Sequence, residues 1–294
     1  MKQRVIALGL FDGVHLGHAA LLRRAAIRAK ELDATSAALT FATPPAQVLG
    51  KASGLLINTP SERIALMKRL YQIEEVLMLP FDGTLAARGW DEFLAFLLET
   101  YHACHIVAGF DFRFGAGGMG DAARLRAFCA SHGIGCDIID QVTLDGIKVS
   151  STHIRTLLAT GDLATAARFL GHPHYMEHQV SQGQQLGRSL NAPTVNHIPN
   201  PSVVLLPNGV YATRVWIDGT PYLGATNVGT RPSVSEDGTV TIETHLLDFS
   251  GDLYGKTLPV EFLSKLREER KFASPEALAA QIRLDIEAIK KADA

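Results

Sequence analysis

Two histidines three residues apart, His15 and His18, lie in the string GLFDGVHLGH over residues 9–18. The string follows a short apolar run and precedes a helical pattern that starts near Gly17, so it falls at a strand-to-helix junction. A glycine lets the backbone approach a phosphate closely, and the N–H groups of a first helical turn favour negative charge. Two imidazoles there can donate hydrogen bonds as charge moves onto a departing pyrophosphate. The string on its own predicts adenylyl or cytidylyl transfer, and it leaves the acceptor open.

Two other interpretations of these histidines are structural. Nearby histidines often cap a helix or face solvent, and a zinc site would need further ligands that this stretch does not supply. The complete string after a strand, with Phe11 and Asp12 inside it, favours a nucleotide site over both.

A second group of residues suited to phosphate chemistry lies in the C-terminal half. Gly183, Gly187 and Arg188 suit a flexible flap over phosphates. The side-chain oxygens of Thr194 and Asn196 are hard ligands of the kind that Mg²⁺ prefers. Without further context, the same stretch also fits a glycine-bearing hairpin followed by an edge strand.

The helices and strands that must position these groups follow two different sequence patterns along the chain. Up to about residue 170, apolar runs alternate with helical patterns, which predicts an α/β domain with a Rossmann-like parallel sheet. The predicted strands are 5–10, 37–41, 75–79 and 105–108, and the predicted helices are 17–32, 61–70 (capped by Ser61), one opened by Asp91, 121–132 and a connector over 154–170. We expect this first domain to cover residues 1–170.

From Tyr175 onward, valines, tyrosines and threonines alternate with polar residues. Turn signals follow at Asp218-Gly219, Asp237-Gly238 and Gly251-Asp252. This pattern predicts an antiparallel β-barrel or sandwich over 171–294, with a terminal helix from Pro275 to about residue 290 packed on its outside.

Composition and charge narrow the class of protein. The 294 residues are 47% hydrophobic and 20% charged, which is typical of globular domains, and a net charge of −2 offers no basic field for nucleic acid or an anionic membrane. No apolar run approaches the roughly 18 residues that span a bilayer, and no signal peptide is recognisable. Three scattered cysteines fit reduced thiols. We expect a cytoplasmic protein with small-molecule partners; the pattern leaves its oligomeric state open.

The first motif resembles the HxGH signature of nucleotidyltransferases, in the form seen in bacterial bifunctional riboflavin kinase/FAD synthetases. GFDFRFG at 109–115 looks like the GxDFxFG motif of that family, and SSTHIR at 150–155 looks like its SSTxIR motif. The resemblance implies that His15 and His18 act in catalysis. It also implies nucleotide or phosphate contacts from Gly9, Phe11, Asp12, Gly17, Gly109, Asp111, Ser151, Thr152 and Arg155.

The second group resembles the GxxxGRxLGxPTAN signature of riboflavin kinase, which implies nucleotide binding by Gly183, Gly187 and Arg188 and Mg–nucleotide binding by Thr194 and Asn196. The stretch 226–232 looks like the NxGxRP segment of the family, which implies flavin contacts from Asn227 and Arg231. The stretch 242–255 looks like its ExHLLDFxGDLYG strand pair, which makes Glu243 the catalytic base. REERKF at 267–272 also matches, and we interpret most of its side chains as a solvated charged face.

Four residues depart from the family pattern: Pro44 replaces a histidine, and Asn191, Ala192 and Val195 replace residues around the PTAN motif. The sequence thus predicts a bifunctional enzyme that phosphorylates riboflavin to FMN and adenylylates FMN to FAD, with ATP, Mg²⁺ and flavin as its small molecules. The alternatives are an enzyme with one surviving activity, a non-catalytic flavin or nucleotide sensor, and an adenylyltransferase for another acceptor.

Overall fold

The computed structural model describes residues 2–50, 54–181, 194–197, 199–231, 239–270 and 272–292. The chain divides into two compact units, residues 1–151 and 152–294. One unit is built around a parallel sheet and the other around a closed barrel. The two sequence patterns therefore correspond to two kinds of sheet.

The elements of the first unit alternate between strands and helices. The strands are β1 (Arg4–Leu8), β2 (Thr35–Phe41), β3 (Glu75–Leu79), β4 (Ala103–Gly109), β5 (Gly135–Ile139) and the hairpin of β6 (Thr143–Leu144) and β7 (Ile147–Lys148). The helices are α1 (Leu16–Glu31), α2 (Pro45–Val48), α3 (Pro60–Tyr71), α4 (Gly83–Ala87), α5 (Trp90–Tyr101) and α6 (Ala122–Ser131), with a 3₁₀ turn at Ala116–Gly118. The first five strands form one parallel sheet in the order β3-β2-β1-β4-β5.

The core of this unit lies on both faces of the sheet. In β1, Ile6 and Leu8 belong to a buried cluster that also contains α5 and α6 residues. The alternate residues Val5 and Ala7 are equally buried, and α1 packs on β1, β2 and β4. Helices therefore cover the sheet on two sides, as a parallel sheet requires, and its central strand β1 ends next to the predicted nucleotide motif.

The second unit contains a helical pair, a barrel and a terminal helix. Its elements are α7 (Ser151–Thr160, which begins at the last residue of the first unit), α8 (Leu163–Leu170), β8 (His174–Ser181), β9 (Thr194–His197), β10 (Gly209–Ile217), β11 (Thr220–Arg231), β12 (Thr239–Leu246), β13 (Thr257–Arg267) and α9 (Pro275–Ala292). The six strands close into an antiparallel barrel in the order β10-β11-β12-β9-β8-β13. Of the two predicted alternatives, the barrel is confirmed.

The two faces of the barrel wall differ in chemistry. Thr213, Thr226 and Thr244 are fully buried inside, where their hydroxyls form a chain with oxygen–oxygen distances of 2.7 and 2.9 Å. On the outer face, α9 packs on an apolar patch that includes Leu223 and Ala225. Asn227 follows Ala225 on the same outer face, because side chains alternate along a strand.

Two local expectations were wrong. The predicted single connector over 154–170 is two helices, because Gly161 adopts φ 80° between α7 and α8. The cap of α3 is Thr59 and not Ser61: the Thr59 hydroxyl accepts from the Glu62 N–H at 3.3 Å, and the Glu62 carboxylate accepts from the Thr59 N–H at 2.7 Å. This reciprocal capping box satisfies two N–H groups at the start of the helix.

Candidate functional sites

The residues between β1 and α1 bring the two histidines side by side. His15 caps α1, and its Nδ1 accepts a hydrogen bond from the His18 backbone N–H at 3.3 Å. The imidazole rings stack with centroids 3.6 Å apart and planes 14° apart. Because Nδ1 of His15 is an acceptor, the neutral ring carries its proton on Nε2. Two imidazoles therefore stand at the carboxyl end of the central strand, the edge where open α/β sheets bind ligands.

His18 is held as a neutral imidazole. Burial lowers its pKa well below 6.5, and the nearby His15 and Arg63 lower it further. Within the part of the chain that the structure describes, its buried Nδ1 has no hydrogen-bond partner. An unsatisfied buried polar atom is costly, and native proteins retain few of them. The site is thus poised for a ligand that hydrogen-bonds a neutral histidine.

Aromatic packing explains the glycines of this turn. A Cβ on Gly9 would lie 3.1 Å from the Phe11 ring, and the Phe11 ring packs edge-on against His18 at 5.3 Å. A Cβ on Gly17 would lie 3.0 Å from Cε1 of His15. Phe11 itself adopts φ 56°, a left-handed conformation that is unusual for an aromatic residue. Both glycines therefore leave space for the rings that support the histidine pair.

Asp12 and Ser151 anchor the turn. The Asp12 carboxylate is buried and accepts hydrogen bonds from the backbone N–H groups of Ile57 at 2.8 Å and Asn58 at 3.2 Å. The Ser151 hydroxyl donates to the Asp12 carbonyl at 2.9 Å. Two predicted site residues from distant parts of the sequence thus meet, and their described contacts hold the backbone of the turn.

Arg63 supports the same turn and was not identified from the sequence. It is fully buried on α3, and its Nη1 donates to the Leu10 carbonyl at 2.5 Å and to the Thr40 hydroxyl at 3.0 Å. Its Nη2 donates to the Phe41 carbonyl at 2.9 Å. The guanidinium therefore joins the carboxyl ends of β1 and β2. Burial lowers the pKa of Arg63, and the Asp12 carboxylate raises it.

The second predicted motif leaves the same edge of the sheet. β4 is a direct neighbour of β1 and ends at Gly109. Two residues further on, the Asp111 carboxylate pairs with Lys148 Nζ at 3.0 Å. The third motif continues onto α7, where Arg155 donates to the Thr152 hydroxyl at 3.2 Å. The phosphate roles of these residues stay predictions.

Pro44, which replaces a histidine of the family pattern, contributes its backbone to the start of a helix. It is the residue immediately before α2, with φ −57° and ψ 133°. Its carbonyl accepts the hydrogen bond of the Gln47 N–H at 3.0 Å, which closes the first turn of the short helix. The departure from the family pattern therefore coincides with the start of a helix beside the end of β2.

In the second unit, strand register assembles three polar residues that are far apart in sequence. Asn196 on β9 stands opposite Glu243 on β12, and Glu243 stands opposite Asn227 on β11. Directly opposite side chains share one face of a sheet, with Cβ atoms about 4.5–5.5 Å apart. We call these three residues the amide–carboxylate row. The register therefore brings the proposed base next to one proposed metal residue and one proposed flavin residue.

The row lies on the outer face of the barrel. The neighbours of Glu243 along β12, Ile242 and Thr244, are buried inside, so Glu243 points outward. Val195 is also buried, with 8% of its surface exposed, next to Asn196. The valine that replaces the alanine of the PTAN motif therefore faces the core and leaves the outward position of Asn196 unchanged.

The structure describes only part of the second predicted group and of the NxGxRP segment. Gly183, Gly187, Arg188, Asn191 and Ala192 lie outside the described residues. For Thr194 and Arg231 the backbone is described: Thr194 stands opposite His245, and Arg231 ends β11 opposite Thr239. Their expected ligand contacts stay predictions.

The chemistry of the row fits the metal that the sequence implies. In the described part of the chain, no three histidine, cysteine, aspartate or glutamate side chains are arranged to bind a metal by themselves. Asn196 and Glu243 offer two oxygen-bearing side chains on adjacent strands. Mg²⁺ commonly binds through one or two protein oxygens together with substrate phosphates, so Asn196 could hold a metal that arrives with ATP while Glu243 stays available for proton transfer.

The fold and the two sites define a nucleotidyltransferase unit followed by a kinase barrel. The family model described as FAD synthetase matches residues 1–153, and the one described as riboflavin kinase matches residues 170–292. The chain belongs to the family of bifunctional riboflavin kinase/FMN adenylyltransferases, since both models match and named relatives exceed 30% identity over nearly its whole length.

Two of these relatives carry that bifunctional name. The one from Pseudomonas fluorescens is 38% identical over 293 residues, covering 97% of this chain and 92% of the relative. The one from Bacillus subtilis is 34% identical over 285 residues, covering 96% and 90%. The similarity therefore extends across both units.

A solved structure with a different name shares the fold. A crystal structure described as a macrolide-efflux protein from Streptococcus pneumoniae matches 98% of this chain and 94% of its own, with a TM-score of 0.84 and 29% identity. The efflux activity in this name refers to the Streptococcus pneumoniae protein and is not assigned to the present chain. In the present chain, none of the described helices combines the length and apolar character needed to cross a membrane.

Proposed function

We propose that this enzyme converts riboflavin to FAD in two steps, each using one ATP. The observation that carries the proposal is that each unit holds its own group of residues suited to phosphate transfer, the stacked pair of His15 and His18 in one and the amide–carboxylate row in the other. We assign adenylylation of FMN to residues 1–170, with the helical connector, and phosphorylation of riboflavin to residues 171–294.

In the adenylyl step, His15 and His18 act on the phosphates of ATP. The FMN phosphate attacks the α-phosphorus in line, the bond to the β-phosphate oxygen breaks, and pyrophosphate leaves. His15 and His18 donate hydrogen bonds to the phosphate oxygens as negative charge moves onto the leaving group. The low pKa of His18 supports hydrogen-bond donation from a neutral ring.

In the kinase step, Glu243 acts as the general base. It accepts the proton of the terminal ribityl hydroxyl as that oxygen attacks the γ-phosphorus of ATP, and ADP leaves. Asn196 and Thr194 hold the metal–nucleotide, and Mg²⁺ neutralises phosphate charge when it is bound. Asn227 and Arg231 contact the flavin, while Gly183, Gly187 and Arg188 cover the phosphates.

The experiment is a product assay. The purified protein is incubated with riboflavin, ATP and MgCl₂, or with FMN in place of riboflavin, and the flavins are separated. We expect FMN and FAD from riboflavin, and FAD from supplied FMN. FMN as the sole product, or FAD from FMN alone, would identify an enzyme with one surviving activity; no turnover above buffer would favour a sensor.

A further inference from the structure

Glu269 contacts the amide–carboxylate row from a segment interpreted above as a solvated face. It lies between β13 and α9, in the string REERKF at 267–272. Its Oε1 accepts a hydrogen bond from Nδ2 of Asn227 at 3.2 Å. Asn227 is the member of the row expected to contact flavin, so Glu269 contacts a residue that is expected to face the substrate.

The strand beneath Glu269 leaves room for this contact. Gly229 is two residues beyond Asn227 and therefore lies on the same face of β11. A Cβ on Gly229 would stand 2.5 Å from Oε1 of Glu269 and 3.1 Å from Nδ2 of Asn227. A Cβ at this position would therefore displace the Glu269 carboxylate, which fills the space above the glycine.

The segment that carries Glu269 is anchored. Two residues earlier, Arg267 pairs with Asp285 on α9: its Nε is 3.1 Å from both carboxylate oxygens, and its Nη2 is 2.8 Å from Oδ2. Asp285 is 5% exposed, so this bidentate ion pair is largely protected from water. Glu269 therefore approaches β11 from a segment tied to the terminal helix.

The chemistry of the two groups determines the orientation of the amide. An ionised carboxylate only accepts hydrogen bonds, so it selects the NH₂ end of the Asn227 carboxamide and directs the carbonyl oxygen elsewhere. We propose that Glu269 is a positioning residue of the kinase site, holding Asn227 so that its carbonyl oxygen accepts a hydrogen bond from a hydroxyl or imide N–H of the flavin substrate. This proposal rests on the proposed riboflavin kinase activity.

The test compares Glu269→Ala and Glu269→Gln with a matched control, Glu268→Ala. Glu268 is the exposed neighbour and pairs with Lys265 at 2.7 Å. The measurements are kcat and KM for riboflavin at saturating ATP and Mg²⁺, the Kd for riboflavin from quenching of flavin fluorescence, and FAD formation from supplied FMN.

We expect Glu269→Ala to raise both the riboflavin KM and Kd about five- to tenfold, the effect of losing one oriented hydrogen bond. The KM for ATP, the adenylylation of FMN and all parameters of Glu268→Ala should match the unmodified enzyme. Glu269→Gln should recover most of the affinity, because the glutamine carbonyl can accept the same hydrogen from Asn227.

Three results would overturn the positioning role. These are a Glu269→Ala enzyme with the KM and Kd of the control, a fall in kcat and melting temperature with KM unchanged, and a Gln variant as impaired as the Ala variant. In each case the unmodified enzyme still phosphorylates riboflavin. Failure of the unmodified enzyme to do so would instead refute the proposed kinase activity.

Discussion

The positive charge of Arg63 lowers the pKa of His18, although the two residues belong to different helices. Burial of His18 itself is the largest cause of this shift, His15 is the next, and the fully buried Arg63 adds to both. The turn therefore resists protonation of His18, so the imidazole is a neutral hydrogen-bond donor for the proposed phosphate contact.

This shift predicts an acid-dependent loss of stability. Above pH 6.5, His18 is neutral in both folded and unfolded chains and contributes no pH dependence. Below pH 6.5 the unfolded chain binds a proton that the folded chain excludes, so His18 lowers the free energy of unfolding by at most about 1.4 kcal/mol per pH unit until its folded pKa is reached. We expect His18→Asn to lose less stability than the unmodified enzyme between pH 7 and pH 5, measured by urea unfolding.

The comparison isolates His18, because every other histidine is present in both proteins. His105, whose pKa is also lowered by burial, contributes equally to both curves. Parallel curves for the two proteins over that pH range would contradict a depressed pKa at His18.

The two sites predict reciprocal effects of single substitutions. His18→Ala removes the proposed hydrogen-bond donor to the transferring phosphates, and we expect FAD formation from FMN to fall at least about 100-fold while FMN formation is retained. Glu243→Ala removes the proposed base and should have the reverse effect. The assay follows each half-reaction separately, and loss of both activities from either change in a folded protein would argue against two independent sites.

The close packing of Gly17 against the His15 ring predicts that a substitution at Gly17 slows adenylylation alone. Gly17→Ala would place a Cβ 3.0 Å from the His15 ring, so the ring must move by a few tenths of an ångström within its stack with His18. We expect a lower kcat for adenylylation and an unchanged kinase activity. Gly83→Ala is the control, because no atom lies within 4 Å of its added Cβ; equal adenylylation rates in the two variants would show that the ring stack is unimportant.

Local patterns in the sequence were sufficient to predict the histidine turn and the alternation of strands and helices. His15 and His18 are brought together by a single helical turn, so their spacing alone determines their proximity. The amide–carboxylate row is different. A period of two predicts which face Glu243 shares with its strand neighbours, but register decides which residues stand opposite it.

Arg63 and Glu269 could not be identified in this way. Charged residues on helices and in charged strings are usually exposed, and that general rule was the basis for assigning the REERKF string to solvent. The partners of Arg63 lie 22–53 positions away and those of Glu269 lie 42 away, so only tertiary packing reveals them. The sequence contains one hint of the Glu269 contact, which is Gly229 within the pattern that predicts the barrel. A strand glycine without a positive φ is typical of a place where another group approaches the backbone closely.

The buried Arg63 guanidinium is expected to support both the stability of the first unit and adenylylation. Arg63→Met keeps a long apolar stem but removes the guanidinium donor of the buried Phe41 carbonyl, at a cost of about 1–3 kcal/mol for an unsatisfied group, and leaves the Leu10 carbonyl with its hydrogen bond from the Thr40 hydroxyl. Because these groups end β1 and β2, we expect a lower melting temperature and a large loss of FAD formation, with kinase activity retained. Removal of the charge should also raise the pKa of His18, measured by NMR titration of its ring protons.

Arg63→Lys separates the charge of Arg63 from its hydrogen bonds, and Lys68→Met is the control on the same helix. A lysine keeps the charge but cannot donate from two nitrogens at once, so we expect it to preserve the low pKa of His18 while recovering only part of the adenylylation rate. Lys68 is exposed on the same helix, and its replacement by Met should change neither property. Normal FAD formation by a folded Arg63→Met enzyme would show that the ends of β1 and β2 hold the histidine turn without the guanidinium.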